Sequence, residues 1–214
     1  DAINENYLHD AHATPDDYTG NLLLVKDIVT RYLRDGVMRH DAAHDAFTTL
    51  GLEEEVAHAF PFEAGGRTMR LKFAGIADRI DRLDDGTLRV VDYKTGMPHL
   101  EFPGVERLFC GEGRERLSNV IQTLLYSMML YRTRGCDALP TLYYVRHMHR
   151  EDYSPELDDK ELGRRGAPYS AYAETFEELL RTTLAELYDT ATPFRQCEDV
   201  KTCQYCDFNT ICKR

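Results

Sequence analysis

Apolar positions recur at helical spacing through Leu22, Val25, Ile28, Val29, Tyr32 and Leu33, and this pattern predicts a helix. The segment before it carries Asp10, Thr14, Pro15, Asp16, Asp17 and Gly20 and reads as a polar arm over residues 1–20. Gly36, or the polar stretch up to Asp45, should end the helix. From residue 54 the period shortens to two. Val56, Phe60 and Phe62 predict a strand closed by Gly65-Gly66, residues 67–83 a long second strand, and residues 88–95 a third, reached through Asp84-Asp85-Gly86. A loop over residues 97–117 should lead to a strong helix over 118–133 with Ser118 as its N-cap. Residues 139–147 read as a strand and 151–167 as a charged loop. Residues 169–188 form a second strong helix with Tyr172, Phe176, Leu179, Leu180, Leu184 and Leu187 on one stripe. Helix, three strands, helix, strand, helix spells an α/β fold, a central mixed sheet flanked by helices. The chain shows no internal repeat and no low-complexity tract.

A length of 214 residues favours one domain. The longest apolar stretches, residues 22–25 and the interrupted 124–131, fall far short of the ~20 residues of a membrane-spanning helix. No charged-then-apolar signal peptide opens the chain, and its first residue is Asp1 rather than Met, as expected of a fragment of a longer protein. The net charge of −11 argues against a nucleic-acid partner until it is divided: residues 1–66 carry −9, residues 67–150 carry +4 and residues 151–214 carry −6. A positive middle third could present an anion-facing surface; ordinary mixed surface is the plainer alternative. Cys110 and Cys136 are isolated, whereas Cys197, Cys203, Cys206 and Cys212 crowd the last eighteen residues. Such clustering suits a reducing compartment, the cytoplasm, and a metal or cluster clasp better than a disulfide scaffold.

The most informative segment is Gly75-Ile76-Ala77-Asp78-Arg79-Ile80-Asp81 followed by Val90-Val91-Asp92-Tyr93-Lys94-Thr95-Gly96. Asp92 and Lys94, two apart on a strand, point to one face. A two-residue turn would set Arg82 against Arg89. A three-residue turn, Asp84-Asp85-Gly86 with Gly86 left-handed, sets Asp81 against Arg89 instead, a pair worth roughly 0.2–1 kcal/mol. The second register is favoured, and it places Asp78 across from Asp92 on the face of Lys94. Two opposed carboxylates repel unless a cation lies between them, and hard oxygen ligands suit magnesium or manganese. A salt-bridged hairpin, with both carboxylates paired to arginines, is the alternative.

Gly-x-x-Asp-Arg-x-Asp, a short hairpin and Val-Asp-Tyr-Lys-Thr-Gly together resemble the core of the PD-(D/E)XK nucleases, in particular the RecB/AddB branch. The resemblance implies a restriction-endonuclease-like core in which Asp78 and Asp92 hold Mg (or Mn) and Lys94 is catalytic. It implies that Gln122 and Tyr126, matching the Gln-x-x-x-Tyr motif on the next helix, also belong to the site. Cys203-x-x-Cys206-x5-Cys212 resembles the last three ligands of the clasp that holds a 4Fe–4S cluster in AddB-type nucleases; zinc is the competing occupant, and an empty clasp is a third outcome. No cysteine precedes Cys110, so the fourth ligand lies upstream of Asp1 or Cys197 replaces it. The branch's metal-linked histidine falls before the hairpin. His40 and His44 are candidates, but neither sits in the family's usual context, and the expectation is that this histidine lies upstream of Asp1, with packing or solvent roles for His40, His44 and His58.

The implied whole is one nuclease domain over 1–214, with the catalytic sheet and helix in 53–147 and the clasp in 197–212. It would be part of a helicase–nuclease subunit with a partner subunit, acting on DNA ends in recombinational repair, as an exonuclease rather than an endonuclease. Arg107, Arg114 and Arg116, in and after the loop over 96–115, are candidate phosphate contacts along a strand channel. Two other readings stay open: a non-cleaving module that binds DNA or a partner, and a stand-alone RecB-like nuclease of CRISPR adaptation.

Overall fold

Hydrogen-bonded pairing organises the chain around one long hairpin. The computed structural model describes residues 3–43, 46–109, 114–193, 196 and 200–213. A helix Asn21–Arg31 (α1) runs through a π-helical stretch, Tyr32–Met38, into a last turn Arg39–Ala42 (α2). Strands Phe47–Ala64 (β1), Arg67–Leu83 (β2) and Leu88–Lys94 (β3) follow, then Glu101–Phe102 (β4), Val105–Phe109 (α3) and the long helix Arg114–Arg134 (α4). Ala138–Tyr144 (β5), Asp158–Asp159 (β6), Arg164–Arg165 (β7), Ala173–Tyr188 (α5) and Asn209–Cys212 (α6) complete the order. The main sheet is β1-β2-β3-β5, antiparallel except for the parallel β3–β5 pair, and β4-β6-β7 form a small second sheet. The α/β class and the mixed sheet flanked by helices are as the sequence predicts.

The two sheet faces bury different things. On the front face Ile80, Val90 and Leu142 join Val120, Leu124 and Met128 of α4 and Phe176, Leu180 and Leu184 of α5 in the main core. On the back face Val91 and Tyr143 pack with Val37 and Met148. Beside this small apolar cluster lies an ionic one. Asp81, with no exposed surface, accepts hydrogen bonds from Arg79 Nε (2.8 Å), Arg89 Nη2 (2.7 Å) and Thr49 Oγ1 (2.9 Å). Arg79 Nη1 reaches on to Asp41 at 2.7 Å, and Tyr143 donates to the other oxygen of Asp41 at 2.9 Å. Phe47 lies against both guanidinium groups, 4.7 Å from Arg79 and 4.4 Å from Arg89. Burial alone would lower the Arg79 pKa, but hydrogen bonds to Asp81, Asp41 and Tyr93 outweigh it and hold the group charged.

The β2–β3 register is the predicted one: Asp81 pairs with Arg89, Leu83 N donates to Thr87 O at 2.9 Å, and Gly86 takes φ +88°. The first helix passes through Gly36 and ends at Ala42, inside the polar stretch up to Asp45; Gly36 sits under Met148, where an added Cβ would lie 3.4 Å from the Met148 Cβ. Other details differ from the sequence expectations. The first strand begins at Phe47 rather than near residue 54, where Phe47 and Thr49 meet the arginine cluster. The expected loops over 97–117 and 151–167 hold β4 with α3 and β6 with β7. Ser118 is not an N-cap, since α4 already runs from Arg114. The polar arm is partly ordered: Tyr18 donates to Asn4 Oδ1, and both side chains are buried.

Candidate functional site

The sheet opens where β2 leaves β3. The β2–β3 ladder closes at Arg79–Val91, one pair short of Asp78–Asp92. On the opposite neighbour Glu53 adopts φ +51°, and the β1–β2 ladder skips the Glu53–Asp78 pair. Side-chain parity on β2 changes at the same place: Met69, Leu71, Phe73 and Ala77 meet the front core on one side of the break, Ile80 on the other. Asp78 is therefore freed from a regular pleat. Its Oδ2 accepts the Tyr93 backbone N–H at 2.7 Å, so the carboxylate stands where the next ladder bond would have formed.

Asp92 follows one residue into β3 and is 3% exposed. Burial pushes its pKa above the usual carboxylate range, the neighbouring Lys94 ammonium pulls it back, and the charge of Asp78 pushes it up again. Lys94 Nζ lies 2.6 Å from Asp92 Oδ2 and donates to Gln122 Oε1 at 3.1 Å. Gln122 Nε2 in turn donates to the Tyr126 hydroxyl at 3.1 Å. One turn separates Gln122 from Tyr126 on α4, so both project to the same side of that helix. The predicted residues Asp92, Lys94, Gln122 and Tyr126 thus form one continuous chain of contacts, with Asp78 at its edge. The alternative of a salt-bridged hairpin does not match this arrangement, since Arg79 and Arg89 are committed to Asp41 and Asp81 on the back face.

Gly75 explains its own place in the motif. A Cβ built there would stand 2.6 Å from Tyr126 Cε1 and 3.1 Å from its hydroxyl, so the ring occupies the space that any larger residue needs. Gly75→Ala is expected to displace Tyr126, break its bond to Gln122 and destabilise the fold by about 1–3 kcal/mol through overpacking. Chemical denaturation of Gly75→Ala, Tyr126→Ala and the double variant measures this. The double variant should recover most of the Gly75→Ala loss, and strict additivity would mean that the contact does not matter.

Two carboxylates fit a divalent cation of the magnesium type, which keeps several waters and is held by one or two carboxylates. The buried Asp92 Oδ2 makes no hydrogen bond of good geometry despite the nearby ammonium, which leaves it open to a metal. Among the described residues no three His, Cys, Asp or Glu side chains gather as a ligand set, so the fit rests on Asp78 and Asp92 alone.

The other candidates are placed less favourably. His40 is buried against Tyr143 and Tyr153, ring centroids 5.2 and 6.1 Å away, on the back face and away from Asp92. His58 lies half-buried on β1; burial lowers its pKa, with Glu177 opposing that and Arg132 and Arg70 adding to it. Arg107 stands on α3, and Arg114 and Arg116 open α4, though the side chains of the latter two lie outside the described set. Cys203 on the turn Val200–Tyr205, Cys206 in the link after it and Cys212 at the end of Asn209–Cys212 are half-buried thiols outside any disulfide, and they do not form a metal-holding group with any described side chain. His44, Cys110 and Cys197 lie outside the described residues. Sequence reading did not single out Asp41, whose part in the ionic cluster depends on a contact 38 residues away in the chain. No described helix is long and apolar enough to cross a membrane.

The chain is 28% identical over 93 residues to one of the subunits of an ATP-dependent helicase/deoxyribonuclease of Streptococcus uberis, a match spanning 44% of this chain and only 8% of that protein. A solved structure titled "Crystal structure of SSO0001" aligns over 90% of this chain and 72% of its own, with 16% identity and a TM-score of 0.33, too low to carry an argument. The model of the PD-(D/E)XK nuclease superfamily matches residues 4–213. Nearly the whole chain fits that model, around a sheet whose open end holds Asp78, Asp92 and Lys94: the protein belongs to the PD-(D/E)XK nuclease superfamily.

Proposed function

We propose that this domain is a metal-dependent deoxyribonuclease that hydrolyses phosphodiester bonds, working on DNA ends as part of a RecB/AddB-type helicase–nuclease. The observation that carries the reading is the unbroken contact chain from Asp92 through Lys94 and Gln122 to Tyr126 beside Asp78. Asp78 and Asp92 would hold the divalent ion, which supplies a polarised phosphate oxygen and a water of lowered pKa.

Lys94, 2.6 Å from Asp92, brings an N–H donor to the place where negative charge grows on the phosphate. Gln122 fixes the Lys94 ammonium, and Tyr126 fixes Gln122 in turn. These two are positioning residues. Arg107, Arg114 and Arg116 would follow the strand electrostatically. The partial match to the streptococcal helicase/deoxyribonuclease supports the placement in a larger helicase–nuclease, with the partner subunit that such a machine implies.

The test is cleavage of linear single- and double-stranded DNA with Mg or Mn. The parent should cut only with metal, and Asp92→Asn, nearly the same size as the native side chain, should lower the rate at least about 10²-fold. A parent that binds DNA without cutting it under any metal would replace this reading with a non-cleaving module.

A further inference from the structure

Beyond the carboxylates, the exits of β3 and β5 wall a separate cavity of about 390 Å³, lined by His99, His147, Arg150, Arg165, Tyr153 and Ser154 together with Glu101 and Asp152. The two exits leave side by side, because Val145 N donates to Lys94 O at 3.1 Å. His99 is five residues from Lys94, so at most about 18 Å separates their Cα atoms. His147 is three residues from Tyr144, the register partner of Lys94. The cavity and the candidate site therefore share one edge of the sheet.

Its walls are fixed. The Tyr153 hydroxyl donates to Leu142 O at 2.9 Å and accepts the Tyr144 N–H at 2.8 Å, pinning the return loop to β5. The loop carrying His99 is held by Asp158 N donating to Leu100 O at 2.9 Å. The acids around the cavity are already engaged: Asp152 with Arg150, Glu101 with Lys160, and Asp158 with Lys160 and Arg165. Neither imidazole has an acidic partner among the described residues. The charges balance, Arg150, Arg165 and Lys160 against Asp152, Asp158 and Glu101; what the cavity has in surplus is N–H donors, those of the two imidazoles and the guanidinium N–H groups outside these pairs, which suits an anion rather than a metal.

We propose that this cavity binds a backbone phosphate of the DNA strand, one or a few nucleotides from the bond held at Asp78 and Asp92. His99 and His147 donate to the phosphate oxygens, with the guanidinium N–H groups of Arg150 and Arg165 that their acid partners leave free completing the cradle. The assignment of DNA rests on the nuclease reading above, and the phosphate site itself does not.

Binding of labelled single-stranded DNA by fluorescence anisotropy, in the cleavage-impaired Asp92→Asn protein across a salt series, tests it. His99→Ala/His147→Ala is expected to weaken binding about tenfold across the salt series. His99→Arg/His147→Arg, which keeps donors at both positions, should bind at least as tightly as the histidine protein. With ionic strength held constant by chloride, inorganic phosphate should displace DNA less effectively from the double alanine variant. Unchanged affinity in a double alanine variant with native thermal stability would overturn the proposal, and so would weak binding shared by the arginine variant. Loss of binding in a chain whose parent never cleaves DNA would keep the phosphate site and sink the nuclease reading. Cleavage by the parent with unaltered binding in the double alanine variant would do the reverse.

Discussion

Lys94→Ala will lower metal-dependent cleavage by about 10²–10⁴-fold while DNA affinity stays within about threefold. The magnitude is that of removing one aimed donor or proton-handling group from a reaction centre. Lys94 is suited to such a loss because its ammonium has two neighbours and both are site residues, Asp92 at 2.6 Å and Gln122 at 3.1 Å. One surviving contact pair, Gln122 to Tyr126, should keep α4 seated, so the variant ought to fold. Single-turnover rates with saturating enzyme separate chemistry from binding. A Lys94→Ala protein that cuts within threefold of the parent would show that the ammonium only balances the charge of Asp92. Gln122→Ala should cost less, since it leaves the ammonium in place and removes only one of its anchors.

The second large effect concerns stability. Asp81→Ala should destabilise the fold by about 3–5 kcal/mol, the usual consequence of stripping the partner from a buried charge. Here a single carboxylate serves two arginines, whose side chains are 7% and 8% exposed. Asp41 compensates Arg79 in part, but Arg89 keeps no other carboxylate among the described contacts. Thr49→Val, which removes one neutral donor from the same carboxylate, should cost only about 1 kcal/mol. Urea unfolding with unchanged slope measures both. A loss below 1 kcal/mol for Asp81→Ala would mean that water enters and solvates the arginines.

Much of this was legible in the sequence, for identifiable reasons. The hairpin register follows from charge alone, since one turn length opposes two arginines and the other opposes Asp81 and Arg89. That Asp92 and Lys94 share a face follows from a period of two on a strand, and that Gln122 and Tyr126 share one follows from an i, i+4 spacing on a helix; that the two pairs belong to one site came only from the resemblance to the PD-(D/E)XK nucleases. What escaped depends on contacts between residues distant in the chain. Gly36 looks like a helix end until Met148 is seen lying over it. Phe47 and Thr49 are strand formers by type, but Gly51 and the run Glu53-Glu54-Glu55 separate them from the alternating segment, and only their contacts with the arginine cluster join them to it. His40 looks like a candidate metal ligand by type, yet the back-face tyrosines enclose it. Gly75 could be quoted from the motif, but its reason lies in a ring 51 positions later.

The unequal strands also bear on how the molecule opens. β2 has 17 residues and β3 has 7, and only Arg79 to Arg82 of β2 pair with β3. The remainder of the β1–β2 hairpin runs on as a two-stranded ribbon, tied to α5 through Phe62 against Tyr188 and Arg181 over Phe60. The ribbon is tied to α4 as well, since the Tyr126 ring stands over Gly75. Asp78 sits where the ribbon leaves the paired base of the sheet. Bending of the ribbon would therefore move Asp78 and Tyr126 together, relative to Asp92 and Lys94 on β3.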